Sequence, residues 1–324
     1  MWYQKNIFSL LLFPVSLIYR AVVSLRRFLY QKNRLKIHRV SVPVIVVGNI
    51  TVGGTGKTPL VIALVKELQK QGFHPGIITR GYRGKNKQWP CHVEKDSDPF
   101  LFGDEAVLLA QKTGVPVVAG PCRFDDATLL LEKFSIDVII SDDGLQHYAL
   151  YRDVEILVID GLRRFGNGFC LPAGPLREPV SRCNTVDFVI TNGIEMQFVI
   201  DDIVNMVDDN KKLSGVDDKK IMAIAAIGNP DRFFQSLKEK NLIFDTKIFP
   251  DHYHFEKSDL EKLSCDIIIM TEKDAVKCRQ FLDARCYVAK GGVTLDADFV
   301  SKIITDINTS DSLRMSEKPL IFRF

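Results

Sequence analysis

The chain has 324 residues, with 43 Lys and Arg against 40 Asp and Glu, a net charge of +3 and 46% apolar residues. That length holds about two globular domains, and the balance excludes a disordered chain and gives no reason to expect a nucleic-acid partner. The seven cysteines form no C-x-x-C pair and no zinc spacing, which argues against a disulfide framework and suits reduced thiols acting as small apolar fillers.

The first segment is apolar and basic. Residues 1–66 hold no Asp or Glu, whereas Lys5, Arg20, Arg26, Arg27, Lys32, Arg34, Lys36 and Arg39 fall within the first forty. Ile7 to Tyr19 is almost wholly apolar. As a helix it spans about 20 Å, too short for a bilayer core of about 30 Å. Arg20, Arg27 and Arg34 then share one helical face, with Val22, Val23, Leu25, Phe28 and Leu29 as apolar partners. Residues 1–40 are therefore expected to associate with an anionic membrane surface. A signal peptide would need a small-x-small cleavage site, which is missing. A soluble helix packed on the core is the bland alternative.

The β-branched run 43–49 reads as a strand buried on both faces, and 60–72 as a helix stopped by Gly72. Between them Thr51, Val52, Gly53, Gly54, Thr55, Gly56, Lys57 and Thr58 resemble a phosphate-binding loop, G-x-x-x-x-G-K-[ST]. Thr51 stands where that pattern wants glycine, and Gly53, Gly54 and Gly56 let the backbone curl around phosphates instead. Lys57 would reach the phosphate oxygens and the Thr58 hydroxyl would hold Mg²⁺. Pro59 is tolerable because the first helical turn needs no intrahelical donor.

From 41 to 210 strands and helices alternate, which predicts a P-loop-type α/β domain with a parallel, doubly wound sheet. A polar loop at 80–84 holds Arg80, Tyr82 and Arg83. A helix over 102–114 starts with Asp104 and Glu105, where Asp104 is either a helix cap or a site group. A strand over 136–140 leads to Asp142 and Asp143, suited to a second Mg²⁺ partner for the phosphate loop. His147 is open between a loop residue and a site residue. The Gly, Pro and Arg-rich stretch 162–180 has no period, and a loop of that length is usually functional. Arg177 and Glu178 are its candidates for anion and metal contacts.

The charge-rich stretch 207–220 marks the expected boundary to a smaller α/β domain, 211–324, that has no phosphate loop of its own. Its loops carry Asp251, His252 and His254. T-E-K-D at 271–274 puts Lys273 third, out of step with the guanine signature [NT]-K-x-D, so ATP is the expected nucleotide.

In order, GNITVGGTGKTP, TRGYRG, GDEAVLLA, SDDGLQH, LPAGPLREP, AIGNPDRFF, FPDHYHF and MTEKDAVK resemble the tetraacyldisaccharide 4'-kinase family of lipid A biosynthesis. The match spans 48–277, and the stretch after about 290 adds nothing to it. The resemblance implies transfer of the ATP γ-phosphate, with Mg²⁺, to the 4'-hydroxyl of a tetraacyldisaccharide 1-phosphate. It places the enzyme on the cytoplasmic face of the inner membrane. It implies Asp104 as base paired with His252, with His254 the neighbouring alternative. It further implies substrate contacts from Asn49, Tyr82, Gln146, His147 and Arg177, and Glu105 beside Thr58, Asp142 and Asp143 at the metal. Closure between the domains would assemble such a site. The rivals are an ATPase or GTPase chaperone, an ATP-dependent cofactor synthetase and a membrane scaffold with a degenerate loop.

Overall fold

The structure, a computed structural model, describes residues 2–4, 6–216, 218–281 and 283–316. Lys5, and Asp217 of the charged stretch, lie outside the described residues.

Seven strands form the first sheet: β1 Val44–Gly48, β2 Pro75–Thr79, β3 Cys91–Val93, β4 Val117–Ala119, β5 Val138–Asp142, β6 Val154–Asp160 and β7 Phe188–Asn192. Their order is β3-β4-β2-β5-β1-β6-β7, and every pair is parallel except β3 with β4. β1 sits between β5 and β6 and is buried along its whole length, as its β-branched run demands. Its register sets Val47 beside Asp142, so the phosphate loop leaves β1 next to the carboxylates at the end of β5. A short helix α1 Ile7–Leu11 and a long one α2 Phe13–Gln31 precede this sheet. Helices α3 Lys57–Lys70, α4 Pro99–Phe102, α5 Asp104–Thr113 and α6 Arg123–Lys133 connect its strands. Leu60, Val61, Leu64, Val65 and Leu68 of α3 are buried in one core with Ile45 and Ile77 of the sheet.

The second sheet contains β8 Phe198–Asn205, β9 Ile221–Ala225, β10 Asp245–Ile248, β11 Ile267–Thr271 and β12 Cys286–Val293, in the order β10-β9-β11-β12-β8. Its pairs are parallel apart from β8 with β12. Helices α7 Pro230–Lys238, α8 Lys257–Glu261 and α9 Glu272–Cys278 belong to it, and α10 Ala297–Ser316 follows it. Two features depart from the expected division at 210 and 211. β8 precedes the charged stretch yet pairs within the second sheet; the charges sit on an exposed connection between β8 and β9. α10 returns to the first domain, where Phe299 meets the edge of Phe188 at 5.3 Å and Ile303 and Ile307 are buried.

No helix among the described residues is long and apolar enough to cross a membrane. The N-terminal run breaks at Leu12, two residues before Pro14, which has no N–H to donate. α1 and α2 turn small polar groups inward, burying Ser9 and Ser16, and leave Phe8, Leu11, Leu17, Ile18, Leu25 and Phe28 exposed. A helix packed on a soluble core does the reverse.

Candidate active site

The phosphate loop curls as its glycines require, with φ of 101° at Gly53 and 95° at Gly56, the residue that caps α3. Thr51 explains the departure from the usual pattern. It makes an antiparallel bridge to Leu176, flanked by bonds from Val52 N to Pro175 O at 2.9 Å and from Arg177 N to Ile50 O at 2.7 Å. An extended residue suits that place, and a β-branched side chain is at home there. Thr51 and Thr55 are buried while Gly53 and Gly54 are exposed. Asn49 is fully buried and donates to Gly53 O at 3.4 Å and Thr55 Oγ1 at 3.2 Å. It braces the loop, and the substrate contact expected of it has no exposed surface behind it.

Lys57 Nζ lies 3.4 Å from Asp143 Oδ1, and Arg177 Nη1 reaches both oxygens of that carboxylate at 3.1 Å. Burial alone would raise the Asp143 pKa, but Lys57 and Arg177 hold it well below the usual carboxylate range. Asp142 behaves oppositely. Burial, reinforced by Glu105, pushes it up to about 7, and neither of its carboxylate oxygens has a hydrogen-bond partner. Its main-chain oxygen accepts from the buried Arg123 at 3.1 Å. Gln146 Nε2 donates to Asn49 O at 3.0 Å, tying the SDDGLQH turn to the loop. Burial, then Arg123 and Arg80, lowers the His147 pKa to about 3, so its imidazole is neutral. Glu178 does not face the phosphate loop. It is buried and held by Tyr148, which donates to it, and by Arg182, so the anion or metal role expected of it gives way to a structural one.

The second domain supplies the other half of the site. His252 Nδ1 lies 2.9 Å from Asp104 Oδ2 and 3.0 Å from Oδ1, across the domain boundary. Asp104 is not the cap of α5, because Gly103 holds that position; the Asp104 carboxylate accepts from Glu105 N at 2.9 Å and is 5% exposed. Burial works to raise its pKa, but Lys273 and then His252 outweigh it and hold it at about 2. An ionised Asp104 accepts only, so His252 Nδ1–H donates and Nε2 is left 3.5 Å from Lys273 Nζ. Lys273 also binds Glu105 at 2.9 Å. The Tyr82 ring meets His252 at 5.0 Å, edge on. His254 instead packs on Phe100.

Neighbouring residues at the start of α5 line two cavities. A cleft of about 770 Å³ is lined by Asp104 and His252 together with Tyr82 and Arg83. A smaller cavity of about 250 Å³ is lined by Lys57, Thr58, Glu105 and Lys273. Consecutive residues thus serve both: Asp104 the cleft, Glu105 the phosphate-loop side.

Several groups at this junction escape a reading of the sequence. Asn192 Nδ2 donates to Thr55 O at 2.9 Å, and a Cβ at Gly56 would lie 2.2 Å from that nitrogen. Arg163 donates to Gly228 O at 2.5 Å, Asn229 to Asp160 at 2.9 Å, and Arg232 to Asn192 O at 3.0 Å. Gly228 comes so near the loop that a Cβ there would lie 2.4 Å from Gly54 N. The AIGNPDRFF stretch contains Gly228, Asn229 and Arg232 without giving their contacts, and Asn192 and Arg163 lie outside it.

Among the described residues no three His, Cys, Asp or Glu side chains gather as a metal site. Mg²⁺ needs none, because it takes one or two carboxylates and completes its shell with water and substrate phosphate.

A family model described as Tetraacyldisaccharide-1-P 4'-kinase matches residues 8–308, beyond both ends of the 48–277 span read from the motifs. A Tetraacyldisaccharide 4'-kinase of Nitrosococcus oceani is 45% identical over 311 residues, covering 94% of this chain and 92% of the relative. That of Hahella chejuensis is 41% identical over 321 residues, covering 95% of each. The crystal structure of LpxK from Aquifex aeolicus in complex with ATP superposes with a TM-score of 0.78 at 30% identity, covering 93% of this chain and 99% of that one. With a family match over nearly its whole length and relatives of this identity, the chain belongs to the tetraacyldisaccharide-1-P 4'-kinase family.

Proposed function

We propose that this chain transfers the γ-phosphate of ATP to the 4'-hydroxyl of a tetraacyldisaccharide 1-phosphate. One observation carries the mechanism: the N-terminus of α5 sets Asp104 in the open cleft and Glu105 on the phosphate-loop side. ATP phosphates bind at the loop, where main-chain N–H groups, the dipole of α3 and Lys57 neutralise charge. The acceptor hydroxyl approaches from the cleft. Phosphoryl transfer is loose, so alignment and charge neutralisation do most of the work and the hydroxyl proton leaves late. Asp104 receives that proton, and a weak base suffices for a hydroxyl already acidified by bond formation. His252 Nδ1–H fixes the carboxylate, and Lys273 holds Glu105 and faces His252 Nε2.

The residues fit Mg²⁺. The two unpartnered oxygens of the buried Asp142 suit a cation, and Thr58 lies at the head of α3 beside Lys57. When bound, the ion supplies charge neutralisation on the phosphates. Asp142 and Thr58 would hold it with Glu105 nearby, whereas the Asp143 carboxylate is engaged by Lys57 and Arg177. Tyr82, Gln146, His147 and Arg177 remain the residues for the lipid headgroup. Residues 1–40 seat the enzyme on an anionic membrane at the cytoplasmic face, supported by the outward apolar face of α1 and α2. The chaperone reading lacks support, because it expects His and Cys ligand clusters and none occurs among the described residues.

The test is transfer of label from γ-labelled ATP to the tetraacyldisaccharide 1-phosphate in detergent or vesicles, with the phosphorylated position mapped. Label at the 4'-oxygen is expected. Release to water alone, or label elsewhere on the lipid, refutes the reading.

A further inference from the structure

Between the N-terminal helix and the phosphate loop lies one layer of chain, residues 170–178. It folds on itself, with Leu171 N donating to Leu176 O at 2.9 Å and Gly174 N to Cys170 O at 3.0 Å. On its inner side it pairs with the loop entry through Val52, Thr51 and Ile50, as described above. On its outer side α2 meets it with two hydroxyls. Ser16 Oγ donates to Cys170 O at 2.7 Å, and Tyr19 Oη donates to Arg177 O at 3.2 Å. The Arg177 side chain then grips Asp143, and Asp143 faces Lys57.

We propose that Tyr19 is a positioning residue of the kinase, an inference that rests on the kinase reading above. By holding the Arg177 carbonyl, its hydroxyl sets the Arg177–Asp143–Lys57 series of charges. The seating of α2 is thereby coupled to the phosphate loop. The physical argument is one of direction. Apolar packing tolerates sliding, whereas a hydroxyl-to-carbonyl bond fixes one atom against another. The Tyr19 ring already packs on the core that holds Ile50 and Leu176, so anchoring alone needs no hydroxyl. The hydroxyl adds register to the residue whose guanidinium holds Asp143 opposite Lys57, and small misplacements at such a site are costly to rate.

The experiment uses the full chain with tetraacyldisaccharide 1-phosphate in vesicles containing phosphatidylglycerol, and expresses kcat per vesicle-bound molecule. Tyr19→Phe keeps the ring, so vesicle co-sedimentation is expected to match wild type and the melting temperature to fall by no more than a few degrees. Its kcat is expected to fall about threefold to tenfold, the weight of one directed hydrogen bond. In an Arg177→Gln background, where the series is already cut, the same change should cost less than about twofold. The proposal is overturned if Tyr19→Phe keeps kcat within about twofold of wild type, or loses about twofold or more again in the Arg177→Gln background. Tyr19→Leu separates the ring from the hydroxyl: a loss seen with Leu and not with Phe also overturns it. Wild-type enzyme without transfer would instead bring down the kinase reading.

Discussion

Lys57 sits at the head of α3 with Asp143 at 3.4 Å, where, in the proposed reaction, it would meet charge on a transferring phosphoryl group. Lys57→Ala should lower kcat roughly a hundredfold or more, the scale of losing one preorganised electrostatic donor. Unchanged turnover in a variant with wild-type circular dichroism would remove the nucleotide assignment. Asp104 gives a second prediction, on stability. Its pKa falls from 3.8 to about 2 on folding, so the folded state holds the proton less tightly than the unfolded chain. Its contribution is full above pH about 4 and is lost as pH falls toward about 2, and it amounts to about 2 kcal/mol. Denaturant titrations across that window should show wild type losing this increment and Asp104→Asn lacking it; parallel curves contradict the assignment. Lys57 and Thr58 were legible in the sequence because their signal is local. Asn192 was not, because it braces Thr55 from 137 residues away. Glu178 was misread because an acidic residue beside an arginine gives no sign of which way it faces.

At the level of elements, the strands β1, β2, β4, β5, β6 and β7 follow from short β-branched runs, and their carboxyl ends gather the site as open parallel sheets do. β8 and β12 were harder to read. β8 carries two aspartates, β12 contains Lys290, Gly291 and Gly292, and their pairing is antiparallel with an irregularity at Lys290 and Gly291. Such strands lack a clean alternation. The N-terminal helices were legible in composition, yet the buried Ser16 of α2 needed the 170–178 layer to explain it. Their outward apolar face predicts vesicle binding that survives salt better than charge alone allows. Arg20→Gln with Arg26→Gln, both exposed positions, should weaken binding to anionic vesicles by at most about 1 kcal/mol per charge. Deleting residues 1–25 should release most of the protein. Co-sedimentation unchanged by both edits argues against a membrane-facing helix.

Across the whole molecule, two sheets close on one loop. Lys112 pairs with Glu272 at 2.6 Å and Lys273 with Glu105 at 2.9 Å, while Gly228 rests against Gly54. Gly228→Ala adds a methyl group where a backbone nitrogen stands 2.4 Å away, so the domains cannot reach this arrangement unaltered. Its kcat should fall about tenfold or more with little change in the melting of either domain. The central claim is that Asp104 of the first domain and His252 of the second act as one unit, and the most direct measurement is a mutant cycle on phosphate transfer. Asp104→Ala and His252→Ala should each lower kcat strongly, ATP affinity should hold, and the double variant should lose little more than the worse single one, because groups acting together are not additive. Asp104→Asn should also be severely slowed, since Asn keeps the shape but takes no proton. A double variant whose loss equals the product of the two, or a fully active Asp104→Asn enzyme, contradicts the account.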